Sequence, residues 1–164
     1  MVPAIIVRAA TPQDAPSISV LNAEVQQLHY EAHPEVFKPP DETNFSPSAI
    51  RELMQSPANF FWLAEIDGQP AGYLYAETAH LEENPIRYAF DRLHIHQIGV
   101  LAQFQGFGCG KRLIQAARQT AEELGMAVIM LNTWAFNHQA QSFFGSQGFE
   151  IYNLRYWLWL NKDR

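Results

Sequence analysis

Residues 93–124 read LHIHQIGVLAQFQGFGCGKRLIQAARQTAEEL, and this stretch decides the fold. The apolar, β-branched run Leu93–Val100 is typical of a buried strand. A turn with three glycines in residues 105–110 follows, and apolar residues then recur at helical spacing at Leu113, Ala117, Ala121 and Leu124. A strand, a glycine-rich turn and a helix start together suit phosphate binding, because free N–H groups and the helix dipole converge on one point.

The spacing of the glycines narrows the choice of phosphate ligand. No Gly-Lys-Ser/Thr closes the turn as in a P-loop, and glycines at 106, 108 and 110 do not form the G-x-G-x-x-G of dinucleotide sites. They fit the pattern Q/R-x-x-G-x-G/A, read from Gln105 through Gly108 to Gly110. Glycine-rich turns are common between strands and helices, so this short motif alone leaves a plain structural turn open.

Length and composition limit the class of protein. A chain of 164 residues, of which 48% are hydrophobic, predicts one globular domain over residues 1–164. No apolar stretch approaches the roughly 20 residues that span a bilayer, and the N-terminus lacks the basic segment of a signal peptide. We therefore expect a cytoplasmic protein with no membrane partner. The net charge of −6 argues against nucleic acid as the main partner.

Periodicity and turn residues predict the element order β-α-α-β-β-β-α-β-α-β in a mixed α/β sheet. Strands are expected at 5–7, 60–65, 70–80, 93–100, 127–134 and 149–160, and helices at 11–30, 47–54, 110–124 and 137–147. Thr11 and Asn137 are suitable N-caps, and Asp67-Gly68 is a suitable hairpin turn. The last predicted strand is unusually aromatic and apolar on both faces. This pattern therefore predicts that both faces of the strand are buried, as they would be in a homodimer formed through this strand.

Two ordered motifs resemble those of the GNAT N-acetyltransferase superfamily. The glycine turn, with Ile98-Gly99-Val100 before it, resembles the acetyl-CoA-binding motif, and NxxAxxFFxxxGF over residues 137–149 resembles the second signature. The resemblance covers nearly the whole chain. It implies an α/β (mixed α+β) fold, with a mostly antiparallel sheet flanked by about four helices and a core strand that splays from its neighbour. It also implies an enzyme that transfers acetyl directly from acetyl-CoA, the co-substrate, to a primary amine.

The same resemblance implies positions that bind the cofactor. The Val100 N–H would stabilise the oxyanion that forms at the thioester carbonyl, and main-chain groups around Ile98, Gly99 and Val100 would pair with pantetheine amides. Main-chain amides of the turn would hold the pyrophosphate, namely those of Gln105, Gly106, Phe107, Gly108, Cys109, Gly110 and Lys111. Lys111 and Arg112 could add positive charge there.

Some of these residues have a plain structural interpretation as well. Ile98 and Val100 also suit an ordinary core. Asn137 is either a helix cap or a contact to the pantetheine arm. Cys109 is either a reactive thiol at a helix start or a small filler.

The chain departs from the family pattern where many members carry the general acid. Phe144 stands at the position of that tyrosine, and a phenyl ring can pack against pantetheine but cannot donate a proton. Ala102 and Gln105 replace the usual proline and arginine of the cofactor motif. Because of Phe144, a non-catalytic acyl-CoA-binding sensor stays open as an alternative function. Transfer of a longer acyl group is another.

A histidine pair on the core strand supplies the candidate base. His94 and His96 share one strand face, and His96 lies four residues before Val100, where some relatives carry a catalytic glutamate. An imidazole there could take the proton that the amine must lose. A structural histidine explains the residue equally well. A His-x-His metal pair lacks an evident third ligand, so no metal site is predicted.

The acceptor is expected to be a small amine or a peptide amine. Four acidic residues favour a positively charged one, namely Glu31, Glu35, Asp41 and Glu42. A solvated acidic loop would account for them as well. By resemblance, the acceptor would enter over the loop that follows the first helix and over the loop of residues 81–92.

Overall fold

The computed structural model describes residues 3–160, and its strands form one sheet in the order β1-β2-β3-β4-β5. The strands are β1 (Ile5–Ala9), β2 (Asn59–Ile66), β3 (Gln69–Leu81), β4 (Phe90–Val100) and β5 (Val128–Leu131). The helices are α1 (Ala15–Ala32), α2 (Pro47–Leu53), α3 (Cys109–Glu123) and α4 (His138–Ser146). Strands β1 to β4 pair antiparallel, and β5 pairs parallel to β4. The predicted mixed, mostly antiparallel sheet with four helices is confirmed.

The helices cover the sheet on both faces. On one face, α1 and α2 bury Ile18, Leu21 and Ile50 against strand residues such as Leu63. On the other face, the apolar stripe of α3 packs on the sheet, with Leu113, Ile114, Ala117 and Ala121 buried. Leu113, Ala117 and Ala121 are buried as the helical spacing predicts, and their burial fixes the rotation of α3 about its axis. The predicted fourth member, Leu124, is 48% exposed, because α3 ends at Glu123.

The start of α1 is anchored to the sheet by an ion pair. Pro12–Asp14 form one 3-10 turn before the helix, and the Thr11 N–H donates to Asp14 Oδ2 at 2.7 Å. The Arg8 guanidinium on β1 donates to both carboxylate oxygens of Asp14, at 2.8 and 2.9 Å, and to Glu65 Oε1 on β2 at 2.9 Å. This forked contact is the geometry in which arginine binds carboxylates most strongly.

The hairpins follow the turn chemistry of the sequence. Asp67 and Gly68 between β2 and β3 both have positive φ, 49° and 78°, as a two-residue hairpin of this type requires. Strand β3 then runs the whole length of β4, from Gly72 opposite Val100 to Leu81 opposite Phe90. The Val100 end of this long hairpin carries the site.

Two strand predictions at the C-terminal side are corrected by the structure. Residues 149–160 do not form a strand, and the residues from Ile151 to Leu160 form no helix or strand and are largely exposed. Its aromatic pattern favours a strand, but within the described residues no edge of the sheet pairs with it. The predicted strand 127–134 is shortened to Val128–Leu131, because β4 and β5 separate beyond that point.

Candidate active site

The sheet splits between β4 and β5. Their pairing ends at Ile95 opposite Leu131, whereas β4 continues to Val100 paired only with β3. The Leu101 N–H donates to Ala71 O at 2.9 Å, so residue 101 directs its main chain toward the β3 side. Because alternate residues face opposite neighbours, Ile98 and Val100 turn their N–H and C=O groups into the split. The splay predicted near Ile98–Val100 is present.

A cleft of about 800 Å³ passes through this split, a volume typical of small-molecule sites. On one side it is bounded by the glycine turn and by α4, including Gly106, Gly108, Lys111, Asn137 and Phe144. On the other side it is bounded by α1 and by Phe37 and Trp134. The structure therefore brings Ile98, Gly99 and Val100 together with most of the predicted cofactor positions. Phe107, which is 50% exposed, does not line the cleft.

The glycine turn presents main-chain donors to the cleft. Gly106 and Gly108 have φ of 81° and 99°, a conformation that favours glycine, and a Cβ on either would meet no atom within 4 Å. Helix α3 begins directly afterwards. Its first main-chain hydrogen bond between residues four apart is donated by the Arg112 N–H to Gly108 O at 3.1 Å. The N–H groups of Cys109, Gly110 and Lys111 therefore have no partner within the helix and are available to an anion.

The two remaining small residues of the turn serve packing. A Cβ on Gly110 would lie 3.0 Å from Phe143 Cζ, so this glycine lets α3 approach α4 closely. Cys109 is 1% exposed, and burial raises the pKa of its thiol. Its surroundings are those of an apolar filler rather than of a reactive thiol, because a reactive thiol needs exposure and a lowered pKa.

Polar side chains form hydrogen bonds between the elements that bound the cleft on the side of the glycine turn. Gln105 Nε2 donates to Val100 O at 3.1 Å, and Gln105 Oε1 accepts from Gln139 Nε2 at 3.0 Å, which links β4 to α4. Asn137 Oδ1 accepts from Ala140 N at 3.0 Å, so the predicted cap role is confirmed. Asn137 also lines the cleft, and only its Nδ2 group is left for a ligand.

The two cations after the turn are placed differently. Lys111 is exposed and lines the cleft. Arg112 instead donates to Ile5 O on β1 at 2.7 Å, so its guanidinium is directed toward the sheet edge. Of the two residues expected to add charge at the turn, only Lys111 is in position to do so.

His96 lines the cleft and has an acidic partner. Its Nε2 lies 3.0 Å from Glu77 Oε2 on β3, and its ring stacks on Tyr75 at 4.9 Å between centroids. The carboxylate fixes the orientation of the imidazole, as in other carboxylate–histidine pairs. His94 contacts His96 at 4.7 Å, but its buried Nδ1 has no hydrogen-bond partner in the described part of the chain, and burial lowers its pKa.

A buried polar triad forms part of the cleft floor. Asn22 Nδ2 donates to Tyr73 OH at 2.8 Å and to Gln97 Oε1 at 3.2 Å, and Tyr73 OH donates to the same Gln97 oxygen at 2.9 Å. Burial raises the pKa of Tyr73 well above its ordinary value, so the phenol stays protonated. Nothing in the spacing of the sequence indicates this triad, since it joins α1, β3 and β4.

The position of the missing acid is filled by packed rings. Phe144 is 8% exposed and contacts Phe149 at 5.8 Å and Phe143 at 5.4 Å between centroids. It also borders the cleft, so a ligand there would meet a phenyl face.

Both expectations about the acceptor entrance are corrected in part. The four predicted acids, Glu31, Glu35, Asp41 and Glu42, do not line the cleft. Three of them have local partners instead, since Glu31 contacts Gln27, Glu35 contacts His33 and Asp41 contacts Thr43. Residues 82–89 do not line the cleft either. They join the other end of the β3–β4 hairpin, which lies roughly 33 Å from Val100, because ten residues separate Phe90 from Val100 at about 3.3 Å each.

Within residues 3–160, no group of three or more His, Cys, Asp or Glu side chains is arranged to hold a metal ion. In the same range, none of the helices combines the length and apolar character needed to cross a membrane.

Comparison with known proteins agrees with this geometry. Residues 22–149 match the family model described as "Acetyltransferase (GNAT) family". The chain belongs to the GNAT family. This match covers the split strand, the glycine turn and both motifs that carry the resemblance.

Curated relatives and solved structures are consistent with that membership. An uncharacterized N-acetyltransferase of Lactobacillus delbrueckii subsp. lactis is 29% identical over 115 residues, which cover 67% of this chain and 65% of the relative. One of Archaeoglobus fulgidus is 32% identical over 88 residues, covering 52% and 56% respectively. The chain thus spans less than two thirds of the length of these relatives.

Solved structures show the same fold at low identity. A mutant of the BH1408 protein from Bacillus halodurans aligns with a TM-score of 0.90 at 21% identity, covering 95% of this chain and 99% of that one. The aminoglycoside acetyltransferase AAC(6')-Iy, in complex with a CoA-acetylneamine bisubstrate analog, aligns with a TM-score of 0.73 at 19% identity, covering 96% and 99%.

Proposed function

We propose that this GNAT protein transfers an acetyl group from acetyl-CoA to a primary amine. The observation that carries the proposal is the split at Ile98 and Val100, which pair with β3 but have no strand partner on the β5 side. A turn of exposed residues directly follows this split. An amide-containing arm ending in a diphosphate is complementary to both features.

The pyrophosphate, the pantetheine arm and the thioester of acetyl-CoA each have a partner in this arrangement. The N–H groups from Gly106 to Lys111 hold the pyrophosphate, with Lys111 adding charge. The pantetheine arm lies in the split and pairs with Ile98 and Val100, with Asn137 Nδ2 as a further donor. Phe144 packs beside the arm. The thioester carbonyl then lies against the Val100 N–H, which stabilises the oxyanion of the tetrahedral intermediate.

Transfer requires that the amine first loses a proton. His96 accepts it, directly or through a water, while Glu77 holds the imidazole in place. The amine nitrogen attacks the thioester carbon, and the C–S bond breaks to release the coenzyme A thiolate. The nitrogen loses a second proton as the amide forms, and this proton reaches the thiolate through water. The thiolate is a competent leaving group, so no tyrosine is required at position 144.

The alternative is an acyl-CoA-binding sensor, and the phenyl ring of Phe144 is the feature that favours it. Calorimetry with acetyl-CoA, followed by a thiol-release assay over a panel of amines, separates the two. We expect binding with amine-dependent release of thiol. Binding without turnover on any amine would favour the sensor, and absence of heat would refute both.

The role of His96 is tested by His96→Ala. Loss of a general base lowers turnover by about 10²–10⁴-fold, while the heat of acetyl-CoA binding should stay unchanged. His80→Ala is the matched control, because His80 lies at the far end of the β3–β4 hairpin and does not line the cleft. Turnover that survives in the His96 variant, with an unaltered pH–rate profile, removes this residue as the base.

A homodimer through the C-terminal segment is proposed as well. Ile151, Leu158 and Leu160 are 78%, 84% and 87% exposed, which is unusual for a run of apolar side chains. Strand β5 meanwhile has a partner on one side only. We propose that the C-terminal segment of one copy pairs with the free edge of β5 in a second copy. This pairing would bury the apolar side chains of the segment and give the β5 edge a hydrogen-bonded partner.

Light scattering coupled to gel filtration tests the dimer. We expect twice the chain mass of 18.7 kDa, and a monomer when Leu158 and Leu160 are both changed to Asp. Val20→Asp, at a 69% exposed position on α1, should leave the dimer intact. A wild-type monomer at micromolar concentration would refute this arrangement.

A further inference from the structure

The half of the cleft that faces α1 is walled by apolar and aromatic side chains. We call this the acceptor half and define it by Leu21, Val25, Leu28, His29, Phe37 and Trp134, all of which line the cleft. It lies across the split from the glycine turn. Under the proposed function, this is where the amine and the group that carries it must fit.

The aromatic wall is held in place by its own contacts. The His29 ring meets Phe37 edge-on at 5.0 Å between centroids, and Phe37 meets Trp134 in the same way at 4.8 Å. His29 Nδ1 donates to Val25 O on the preceding helical turn at 2.6 Å, which fixes the imidazole. The rings thus form a preorganised apolar surface, and such a surface binds a flat apolar group at low entropic cost.

Negative charge is scarce in the acceptor half. Within residues 3–160, Glu24 is the one carboxylate among the residues that line the cleft, and its Oε2 already accepts from Ala102 N at 3.2 Å. Glu77 does not line the cleft, and His96 Nε2 already lies 3.0 Å from its Oε2. The polar floor, Asn22 and Gln97, is hydrogen-bonded within its own triad with Tyr73. A ligand with several ammonium groups would leave all but one of them without a counter-charge in this cleft, and that is unfavourable.

From these observations we infer that the acceptor is a monoamine whose amino group is attached to an apolar skeleton of about the size of an aromatic ring. The inference rests on the proposed transfer to an amine and narrows the substrate class. Polyamines and aminosugars, which carry several cations on a polar frame, do not match this wall. The aromatic rings also favour the single ammonium group through cation–π attraction.

The test compares two amines under identical conditions, 2-phenylethylamine and spermidine, by thiol release from acetyl-CoA. We expect kcat/KM to favour 2-phenylethylamine at least tenfold. Trp134→Ala and Phe37→Ala should each lower kcat/KM for this amine about tenfold or more, with the affinity for coenzyme A unchanged by calorimetry. Tyr88→Ala removes an 86% exposed ring in the distant β3–β4 loop and should have no effect.

The outcomes distinguish the inference from the function on which it rests. A preference for spermidine, or unchanged kcat/KM in both variants, overturns the monoamine class but keeps the transferase. If coenzyme A binds but neither amine is acetylated, the monoamine class is overturned as well, and the acyl-CoA-binding sensor is favoured. Absence of coenzyme A binding refutes the proposed function itself.

Discussion

Gly110→Ala is the substitution whose effect the structure predicts most sharply. The new Cβ would lie 3.0 Å from Phe143 Cζ and 3.3 Å from Cε2, closer than side chains normally pack. Overpacking of this kind costs about 1–3 kcal/mol. Against it stands a gain of up to about 1 kcal/mol, because alanine suits a helix better than glycine. We therefore expect a net loss of roughly 1–2 kcal/mol in the free energy of unfolding.

The sign should reverse when Phe143 is first shortened to Leu. Leucine lacks the outer ring atoms that the Cβ would meet, so only the helical gain is left, and Gly110→Ala should then stabilise by up to about 1 kcal/mol. The double-mutant cycle thus predicts a coupling of about 1–3 kcal/mol between positions 110 and 143. Urea unfolding of the four proteins, followed by circular dichroism, measures it.

Gly108→Ala is the matched control. Its φ of 99° strains an alanine, but a Cβ there meets no atom within 4 Å. The loss, of order 1–2 kcal/mol, should be the same with Phe or Leu at position 143. A stabilising Gly110→Ala in the wild-type background, or equal effects in both backgrounds, would refute the assignment of Gly110 to packing.

Three further predictions concern single side chains. Asp14→Asn should lower the free energy of unfolding by about 1–2 kcal/mol at pH 7. Because Arg8 lowers the pKa of Asp14 in the folded chain, the difference in unfolding free energy between wild type and variant should shrink below about pH 4 in urea titrations. A difference that stays constant with pH would contradict the ion pair. Cys109 should react with a thiol reagent far more slowly in the folded protein than in urea, and equal rates would contradict its burial. Phe144→Tyr should leave turnover unchanged or raised, because the phenol adds a proton donor; a large loss of kcat would mean that the ring fills a position required by the substrate.

Local patterns were sufficient for most of the fold. The cap at Asn137, the hairpin turn at Asp67-Gly68 and most of the stripe of α3 are short-range features, and each appears where the sequence predicts it. The prediction of Thr11 as the N-cap of the first α-helix is wrong, because Thr11 precedes a 3-10 turn, its side chain accepts no capping bond and α1 begins at Ala15. The prediction of a C-terminal strand is wrong, because a strand-like pattern of apolar and aromatic residues shows only that a segment could join a sheet. Whether an edge is available to it within the same chain is a property of the tertiary structure.

The site divides in the same way. The glycine turn and the split strand are contiguous in sequence, so the motif locates them. Glu77 beside His96 depends on the register of β3 against β4, which no single-sequence pattern fixes. The aromatic wall joins α1, the segment after it and the segment that follows β5, and sequence spacing brings none of these together.

The split in the sheet has a consequence for local stability. Beyond Ile95 and Leu131 the two strands do not share hydrogen bonds, so their amides there should exchange with solvent faster than those of the paired stretch. A ligand that bridges the gap with its own amides would act as the missing strand. It should therefore slow deuterium uptake on both sides of the gap together, and raise the melting temperature in proportion to the logarithm of its concentration once the site is saturated.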